Sequence, residues 1–235
     1  DQLPKSIWMG TFHSMFCRIL RKEADKLGYS SSFSIYDATD TKSQIKKVIK
    51  DLNLNHEIYK AAEVYSRISF AKNNLVTPLA YSQSRELIET DAKGRKAKIC
   101  DVYTEYAKRC KKANVMDFDD LLLNTNILFR DYPEVLEFYQ NKFHYILVDE
   151  YQDTNLSQYI LIKKLSQKNR NICVVGDDAQ SIYSFRGAII ENILNFRNDY
   201  PDFKLFKLEQ NYRSTQIIVD AANSLIEKNR RQIPK

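Results

Sequence analysis

The chain has 235 residues, 43% of them apolar and 28% charged, which is enough to bury a sizeable hydrophobic core. No stretch has the length and apolar character of a transmembrane span or a signal peptide, so we expect a cytoplasmic protein without membrane contact. The four cysteines form no CxxC pair and lie apart from the three histidines, which argues against zinc and against a disulfide framework.

The first predicted element is an amphipathic helix within residues 10–29. Apolar side chains recur there at helical spacing, Thr11 is placed to cap the helix and Gly28 to end it. Residues 32–37 alternate polar and apolar side chains, which predicts a short strand.

The next hundred residues predict helices. Three apolar stripes at helical spacing, interrupted at Thr77-Pro78, lie before residue 111, an exposed turn is predicted at 91–96, and two more helices are predicted at 118–129 and 133–143. Because no strand pattern interrupts the region, we interpret it as a helical insertion. The stripes are Ile45, Val48, Ile49 and Leu52; Ile58, Ala61, Tyr65 and Ile68; and Ile99, Tyr103, Tyr106 and Cys110.

Positive charge is concentrated in this helical region. Residues 41–116 carry 16 Lys or Arg against 8 Asp or Glu, whereas the rest of the chain carries 20 against 22. A polyanion partner such as nucleic acid is one explanation, and a lysine-rich, solvated helix surface is the other.

From residue 144 onward the pattern alternates between strands and helices. Apolar runs at 144–150 and 171–178 each end in acids, and an alternating segment at 203–209 predicts a third strand. Helices are predicted at 157–167, 188–200 and 214–228. This order is typical of a parallel α/β sheet, whose ligands bind beyond the carboxyl ends of the strands.

The stretch "LVDEYQDTN" places acids at the end of the first of these strands. Asp149 can hold Mg²⁺ beside the phosphates of a nucleotide, and Glu150 can accept a proton from an attacking water. The alternative is a solvated turn that caps the next helix. For residues 153–155 we favour the capping role, because a helix is predicted to start near Leu156. For Asp149 and Glu150 we favour the functional role.

Two further loops carry side chains suited to phosphates and bases. In "VVGDDAQSIYSFRGA", Gln180 suits a phosphate oxygen or a water. Two aromatic rings and a guanidinium follow it. Bases stack on such groups, and the alternative is that these side chains pack in the core. In "LEQNYRST", Arg213 follows Tyr212 and could stabilise charge on a transferring phosphoryl group, although an Arg near a helix start is usually a surface residue.

Five motifs occur in the order found in one enzyme family. "TFHS", "FDDLL", "VDEYQDTN", "GDDAQSIYSFRGA" and "QNYRS" resemble those of UvrD/Rep-type DNA helicases of superfamily 1. The resemblance implies an ATP-dependent, Mg²⁺-dependent DNA helicase or translocase that moves 3′ to 5′. It also implies the fold: an incomplete RecA-like P-loop NTPase parallel sheet with a large all-helical inserted subdomain.

The resemblance also implies residue roles. Asp149 would be the magnesium carboxylate, Glu150 the catalytic base, Gln180 the sensor of the γ-phosphate, Tyr212 the adenine-stacking residue and Arg213 the arginine finger. Single-stranded DNA would lie along Thr11, Phe12, His13, Tyr183, Phe185 and Arg186. The basic helical region would lie beside the duplex at a junction of single-stranded and double-stranded DNA.

The sequence also departs from the family. No GxxxxGK[ST] loop is present, so we expect a piece of a longer protein that is nearly inactive as an ATPase by itself. Phe185 stands where many relatives carry Trp, and Ala179 where many carry Asp. The expected divisions are 1–38 and 143–208 as parts of the first motor domain, 39–142 as the basic insertion, and 209–235 as the start of a second motor domain or a linker to it.

Two other functions are compatible with the residues alone. A metal-dependent nuclease would use Asp149, Glu150, Asp177 and Asp178 as a two-metal cluster, but it would give no role to Gln180 and the Tyr-Arg pair. A non-catalytic DNA-binding module would depend on the basic helices alone.

Overall fold

The computed structural model describes residues 7–184 and 187–226. These residues form two compact units. The first contains the described residues up to His144 together with Leu156–Arg170, and the second contains Tyr145–Asn155 and the described residues from Asn171 onward. Within the described ranges, no helix combines the length and the apolar character that crossing a bilayer requires.

The first unit is mostly helical, with one short parallel strand pair. The strands are β1 (Ser34–Tyr36) and β2 (Val115–Asp117). The helices are α1 (Phe12–Glu23), α2 (Ala38–Asp51), α3 (Ala61–Asn73), α4 (Pro78–Gln83), α5 (Arg85–Lys93), α6 (Ile99–Lys112), α7 (Phe118–Asp131), α8 (Pro133–Lys142) and α9 (Leu156–Ser166).

Helix ends in this unit are set by local side-chain hydrogen bonds. The Thr11 hydroxyl caps α1 by accepting from Ser14 N, and Gly28 ends the 3₁₀ turn after α1 in the left-handed conformation (φ 66°), as predicted. A capping box of Asp37 and Asp40 starts α2.

The predicted stripes form the core of this unit. The third stripe, on α6, is buried at all four positions, and three of the four residues of the α2 stripe are buried. Two predictions are wrong. Ile58 precedes α3 and is exposed, and Asp91, predicted in an exposed turn, is buried in α5, where Tyr81 Oη and Arg67 Nε donate to its carboxylate.

A strand lies where only helices were expected. Val115–Asp117 pairs in parallel with the predicted strand Ser34–Tyr36, in the register Ser34↔Val115. Three consecutive buried residues between two helices give no alternation, so the sequence pattern could not reveal this strand. The division of the chain at residues 38, 142 and 208 stays a prediction.

The second unit contains the other parallel pair. Strand β3 (Ile146–Val148) pairs with β4 (Ile172–Val174) in the register Ile146↔Ile172. The helices that follow are α10 (Glu191–Leu194), α11 (Phe196–Asp199) and α12 (Gln216–Ile226).

The third strand predicted in this unit is absent from the described residues. Residues 203–209 form no strand, and all seven are exposed. An alternating pattern becomes a strand only when a neighbouring strand accepts its backbone hydrogen bonds. The described residues are therefore an α/β arrangement, mostly helical, with two short parallel sheets.

Candidate functional site

The acids after β3 and β4 lie at the same edge of the sheet. The strands run in parallel with Val148 opposite Val174, so Asp149 and Asp177 follow neighbouring strand ends. The ladder continues past the strands, because Val175 N donates to Val148 O (2.8 Å) and Tyr151 N donates to Val175 O (2.9 Å). The sequence predicted this juxtaposition, and the register supplies it.

Glu150 occupies a backbone conformation that is unusual for its residue type. Its φ of 51° and ψ of 42° are left-handed, which costs a non-glycine residue about 1–2 kcal/mol. The Glu150 N–H donates to Asp149 Oδ1 (2.9 Å), and Gln152 Nε2 donates to Glu150 Oε2 (2.7 Å). The Asp149 carboxylate therefore holds the Glu150 backbone N–H and the Gln152 amide holds the Glu150 carboxylate, although Glu150 is exposed.

Gln152 is a functional candidate that the sequence reasoning missed. Its side chain is 1% exposed, and besides donating to Glu150 it accepts from Asp177 N at 3.1 Å. A glutamine between two acids in "DEYQD" was the only available signal.

The loop after β4 folds on the carboxylate of Asp177. Asp177 Oδ1 accepts from Ala179 N (3.0 Å), and Asp177 Oδ2 accepts from Gln180 Nε2 (3.0 Å). Asp177 therefore connects Gln180 to Gln152, which in turn donates to Glu150. Gln180 is exposed, so a ligand at this edge can reach it.

The nuclease cluster is not assembled. Asp178 is buried, and Asp177 uses both carboxylate oxygens within its own loop. Among the described residues, no three His, Cys, Asp or Glu side chains come together to hold a metal ion. A two-metal centre needs bridging and terminal carboxylates around ions about 4 Å apart, which this geometry lacks.

The helix predicted to start near Leu156 is present. Helix α9 starts at Leu156. Thr154 O accepts from Ile189 N and from Asn192 Nδ2, both at 3.0 Å. Burial, reinforced by the charge of Glu150, raises the pKa of Asp153. The capping role of residues 153–155 stays a prediction.

The remaining predicted nucleotide and DNA residues of the second unit lie in exposed segments. Tyr183 is 37% exposed, and Tyr212 is 93% exposed. Arg213 N and Ser214 N both donate to Asn211 Oδ1, which forms a turn before α12. No described contact brings Tyr212 or Arg213 to the strand edge. Phe185 and Arg186 lie outside the described residues.

The "TFH" residues of the first unit lie at the start of α1 beside an aromatic residue that the sequence reasoning did not select. The His13 and Phe118 rings meet edge-on with centroids 5.7 Å apart, and Phe12 stacks on Phe16 at 6.3 Å. Burial lowers the pKa of His13, which favours the neutral ring. Phe118 is half exposed, and its place in "FDDLL" was the available signal.

Asp120 of "FDDLL" and the preceding residue Asp117 form an ionic cluster with the buried Lys72. Lys72 Nζ lies 2.6 Å from Asp117 Oδ2 and 2.7 Å from Asp120 Oδ1, and Tyr106 Oη donates to Asp117 Oδ2. Burial alone would lower the pKa of Lys72, but Asp117 and Asp120 outweigh it and raise that pKa. Asp117 also forms a capping box with Asp120, so the cluster fixes the N-terminus of α7, where Phe118 is the first residue.

Comparisons with known proteins agree with the motifs. A family model described as "UvrD/REP helicase N-terminal domain" matches residues 2–201. The chain is 49% identical over 229 residues to a Staphylococcus aureus (strain Mu50 / ATCC 700699) protein named ATP-dependent DNA helicase PcrA, and 48% identical to the Bacillus subtilis (strain 168) protein of that name. Each alignment covers 97% of this chain and 30% of the relative. The chain thus spans about 30% of the length of these curated relatives, and it belongs to the UvrD/REP helicase N-terminal domain family.

Proposed function

We propose that these residues are part of an ATP-dependent DNA helicase that couples Mg-ATP hydrolysis to 3′-to-5′ movement on single-stranded DNA and to duplex unwinding. The observation that carries the proposal is the common sheet edge at which Glu150 and the Gln180 loop are joined through Gln152. The names of the relatives support the same activity.

Asp149 fits the magnesium of a bound nucleotide. The residue is exposed at the strand end, and no larger metal-binding group of His, Cys, Asp and Glu exists among the described residues. Mg²⁺ is commonly held by one or two carboxylates, with phosphate oxygens and waters as its other ligands, so a single carboxylate is the expected donor set. When bound, the ion would neutralise charge on the phosphates.

The neighbouring side chains have distinct roles in this proposal. Glu150 accepts the proton of the attacking water, and its fixed orientation supports that role. Gln180 contacts the γ-phosphate, Tyr212 stacks on adenine, and Arg213 stabilises charge on the transferred phosphoryl group. The exposure of Tyr212 and of Gln180 leaves both accessible to a nucleotide.

Single-stranded DNA stacks on the aromatic side chains of both units. In the first unit, Phe12, His13 and Phe118 offer rings at the start of two helices, next to the Thr11 hydroxyl. Stacking on such rings tolerates any base, which suits a translocating enzyme. In the second unit Tyr183 has the same role, and we assign Phe185 and Arg186 to it as well, from their positions in the motif.

The basic helices contact the duplex at the junction of single-stranded and double-stranded DNA. The α2 lysines are all exposed opposite the buried stripe of the helix, which supports a phosphate-binding surface. These lysines are Lys42, Lys46, Lys47 and Lys50.

A larger RecA-like sheet is part of the same proposal. Leu147 on β3 is 78% exposed, although parallel strands are normally covered on both faces. Additional strands and helices beyond these residues would cover it. Because no phosphate-cradling GxxxxGK[ST] loop occurs in these 235 residues, this chain alone should turn over little ATP. The named relatives are DNA helicases of bacteria, in which DNA lies in the cytoplasm, and we therefore assign the protein to the cytoplasm.

ATP hydrolysis tests the proposal. The full-length protein that carries these residues should hydrolyse ATP with Mg²⁺, and single-stranded DNA should stimulate it. Glu150→Gln should lower the stimulated kcat by about 10²- to 10⁴-fold. A full-length protein that cleaves DNA without ATP, or that lacks DNA-stimulated hydrolysis, would contradict the proposal.

A further inference from the structure

We propose that Gln152 is a positioning residue that holds the Glu150 carboxylate and joins its orientation to the loop carrying Gln180. This inference rests on the proposed function, in which Glu150 is the catalytic base. Gln152 itself touches neither nucleotide nor DNA in this proposal. It acts through the two residues that it binds, Glu150 and Asp177.

Both ends of the Gln152 amide are used, one as a donor and the other as an acceptor, a combination that neither a carboxylate nor an apolar side chain provides. Nε2 donates to Glu150 Oε2 at 2.7 Å, and Oε1 accepts from Asp177 N at 3.1 Å. A carboxylate at this position could accept from Asp177 N but would repel Glu150. An apolar side chain of similar length could neither donate to Glu150 nor accept from Asp177 N.

The Gln152 amide is buried and lies close to Gly176. The side chain is 1% exposed, and a Cβ added at Gly176 would lie 2.5 Å from Gln152 Oε1 and 2.9 Å from Ile193 Cδ1. Real Cβ atoms essentially never approach other atoms so closely. The absence of a side chain at Gly176 therefore lets the loop after β4 pass close to the Gln152 amide, and a larger residue there would displace that amide.

The orientation of the Glu150 side chain depends on the hydrogen bond from Gln152, because little else holds that side chain. The residue is exposed and its backbone is left-handed, so the side chain would otherwise sample several rotamers in water. A base that must meet a water within hydrogen-bond distance loses rate when its orientation is averaged. The hydrogen bond from Gln152 selects one orientation before the nucleotide binds.

The hydrogen bond that Gln152 accepts from Asp177 N links the orientation of Glu150 to the loop after β4. Asp177, whose N–H binds Gln152, holds Gln180 Nε2 through Oδ2 at 3.0 Å. A displacement of this loop therefore shifts the acceptor end of Gln152 and, through the rigid amide, the donor end at Glu150. The same loop continues to Tyr183, so its position can respond to DNA.

The test is steady-state kinetics of the full-length protein that carries these residues, with saturating single-stranded DNA. Gln152→Met should lower kcat for ATP hydrolysis by about 10- to 100-fold, the usual effect of removing a residue that orients a catalytic group. The KM for ATP should change by less than about threefold, because the phosphate contacts remain. Gln140→Met is the matched control, since Gln140 Nε2 also donates at 2.7 Å, but to Lys164 O in the first unit.

A pH profile separates positioning from general support of the fold. In Gln152→Glu the introduced carboxyl can donate to Glu150 only when it is protonated. Its kcat relative to the unsubstituted protein should therefore rise as the pH falls from about 8 to about 6, whereas Gln152→Met should show no such recovery. Thermal unfolding midpoints of both variants show whether they are folded.

Each outcome decides the matter. An active protein in which Gln152→Met keeps its kcat within twofold would overturn the inference and leave the proposed function standing. A loss in Gln152→Met without pH recovery in Gln152→Glu, or with an equal loss in Gln140→Met, would also overturn it. If the unsubstituted full-length protein shows no DNA-stimulated hydrolysis, the proposed function fails, and the positioning role fails with it.

Discussion

Lys72 Nζ lies 2.6 Å from Asp117 Oδ2, and both side chains are buried. The two residues are 45 positions apart, so the pair joins α3 to the strand–helix junction between β2 and α7. Asp120 also binds Lys72, and Tyr106 donates to Asp117. Phe118, proposed to stack on DNA, is held at the start of α7 by this cluster.

Removing the cation should destabilise the first unit strongly. Lys72→Met leaves the buried Asp117 carboxylate without its partner, and breaking a buried pair in this way costs about 3–5 kcal/mol. The free energy of unfolding from denaturant titration measures the loss. Lys98→Met is the control, because the ion pair of Lys98 with Asp101 is exposed and its removal should leave the unfolding midpoint unchanged. A Lys72→Met protein as stable as the control would show that the pair adds nothing.

The same cluster should make stability depend on pH. Burial and the charge of Asp117 raise the pKa of Asp120 to about 7. The unfolded chain releases this proton near pH 4, so the stabilising contribution is complete below about pH 4 and is lost as the pH rises through about 7. The raised pKa of Asp119 acts in the same direction, whereas the lowered pKa of His13 makes stability rise with pH, so the comparison with Asp120→Asn isolates the contribution of Asp120.

Thermal unfolding midpoints between about pH 5 and about pH 8 test this dependence. The decline should be smaller in Asp120→Asn. Asp131→Asn serves as the control, since Arg130 lowers the pKa of the exposed Asp131 and its contribution changes only in acid. An unchanged decline in Asp120→Asn would place the titrating group elsewhere.

Phe118→Ala should weaken the binding of single-stranded DNA. Loss of one stacked base costs about 1–3 kcal/mol of binding free energy, which fluorescence anisotropy with a labelled oligothymidine can measure. Phe138→Ala is the matched control, because Phe118 and Phe138 are both 50% exposed. Equal effects of the two substitutions would contradict a specific stacking site at the start of α7.

Charge reversal on α2 should weaken binding to a tailed duplex. Lys46→Glu combined with Lys50→Glu should reduce affinity and lower the slope of log K against log salt by about 1 for each phosphate that is no longer neutralised. Lys204→Glu makes the same kind of change at an exposed residue outside the basic region. If the slope does not change with the α2 reversals, the basic helices do not bind DNA.

Gly176→Ala should reproduce the kinetic defect of Gln152→Met. The added methyl group would lie 2.5 Å from Gln152 Oε1 and would displace the amide from Glu150. We expect kcat for ATP hydrolysis to fall by about 10- to 100-fold in the full-length protein. Gly94→Ala is the control, because a Cβ there would lie 3.4 Å from Asp91 O. A normal kcat in Gly176→Ala would mean that the Gln152 rotamer is not constrained.

Local patterns predicted much of the helical structure and the position of the acids. The stripe from Ile99 to Cys110 identified α6, and Thr11 and Gly28 marked helix ends, because these signals act within a few residues. The apolar runs that end in Asp149 and Asp177 indicated two strand ends for the same reason, whereas their pairing as neighbours depends on the long-range register of Ile146 with Ile172.

Contacts between distant residues could not be predicted in this way. Lys72 looked like one more lysine of a basic helix, and only folding brings it to Asp117. Gln152 had no pattern of its own, since its role comes from Asp177, which lies 25 positions further along the chain. The strand predicted at 203–209 was wrong because pairing depends on a partner strand, which an isolated pattern does not specify.

The most direct test of the proposed helicase activity is ATP-dependent strand separation of a 3′-tailed duplex by the full-length protein, compared with its Glu150→Gln variant. We predict unwinding that requires ATP and Mg²⁺ in the unsubstituted protein and is lost in Glu150→Gln, while binding of the tailed duplex is retained. Unwinding that persists in Glu150→Gln, or an unsubstituted protein that binds the substrate and ATP but never separates the strands, would contradict the proposal.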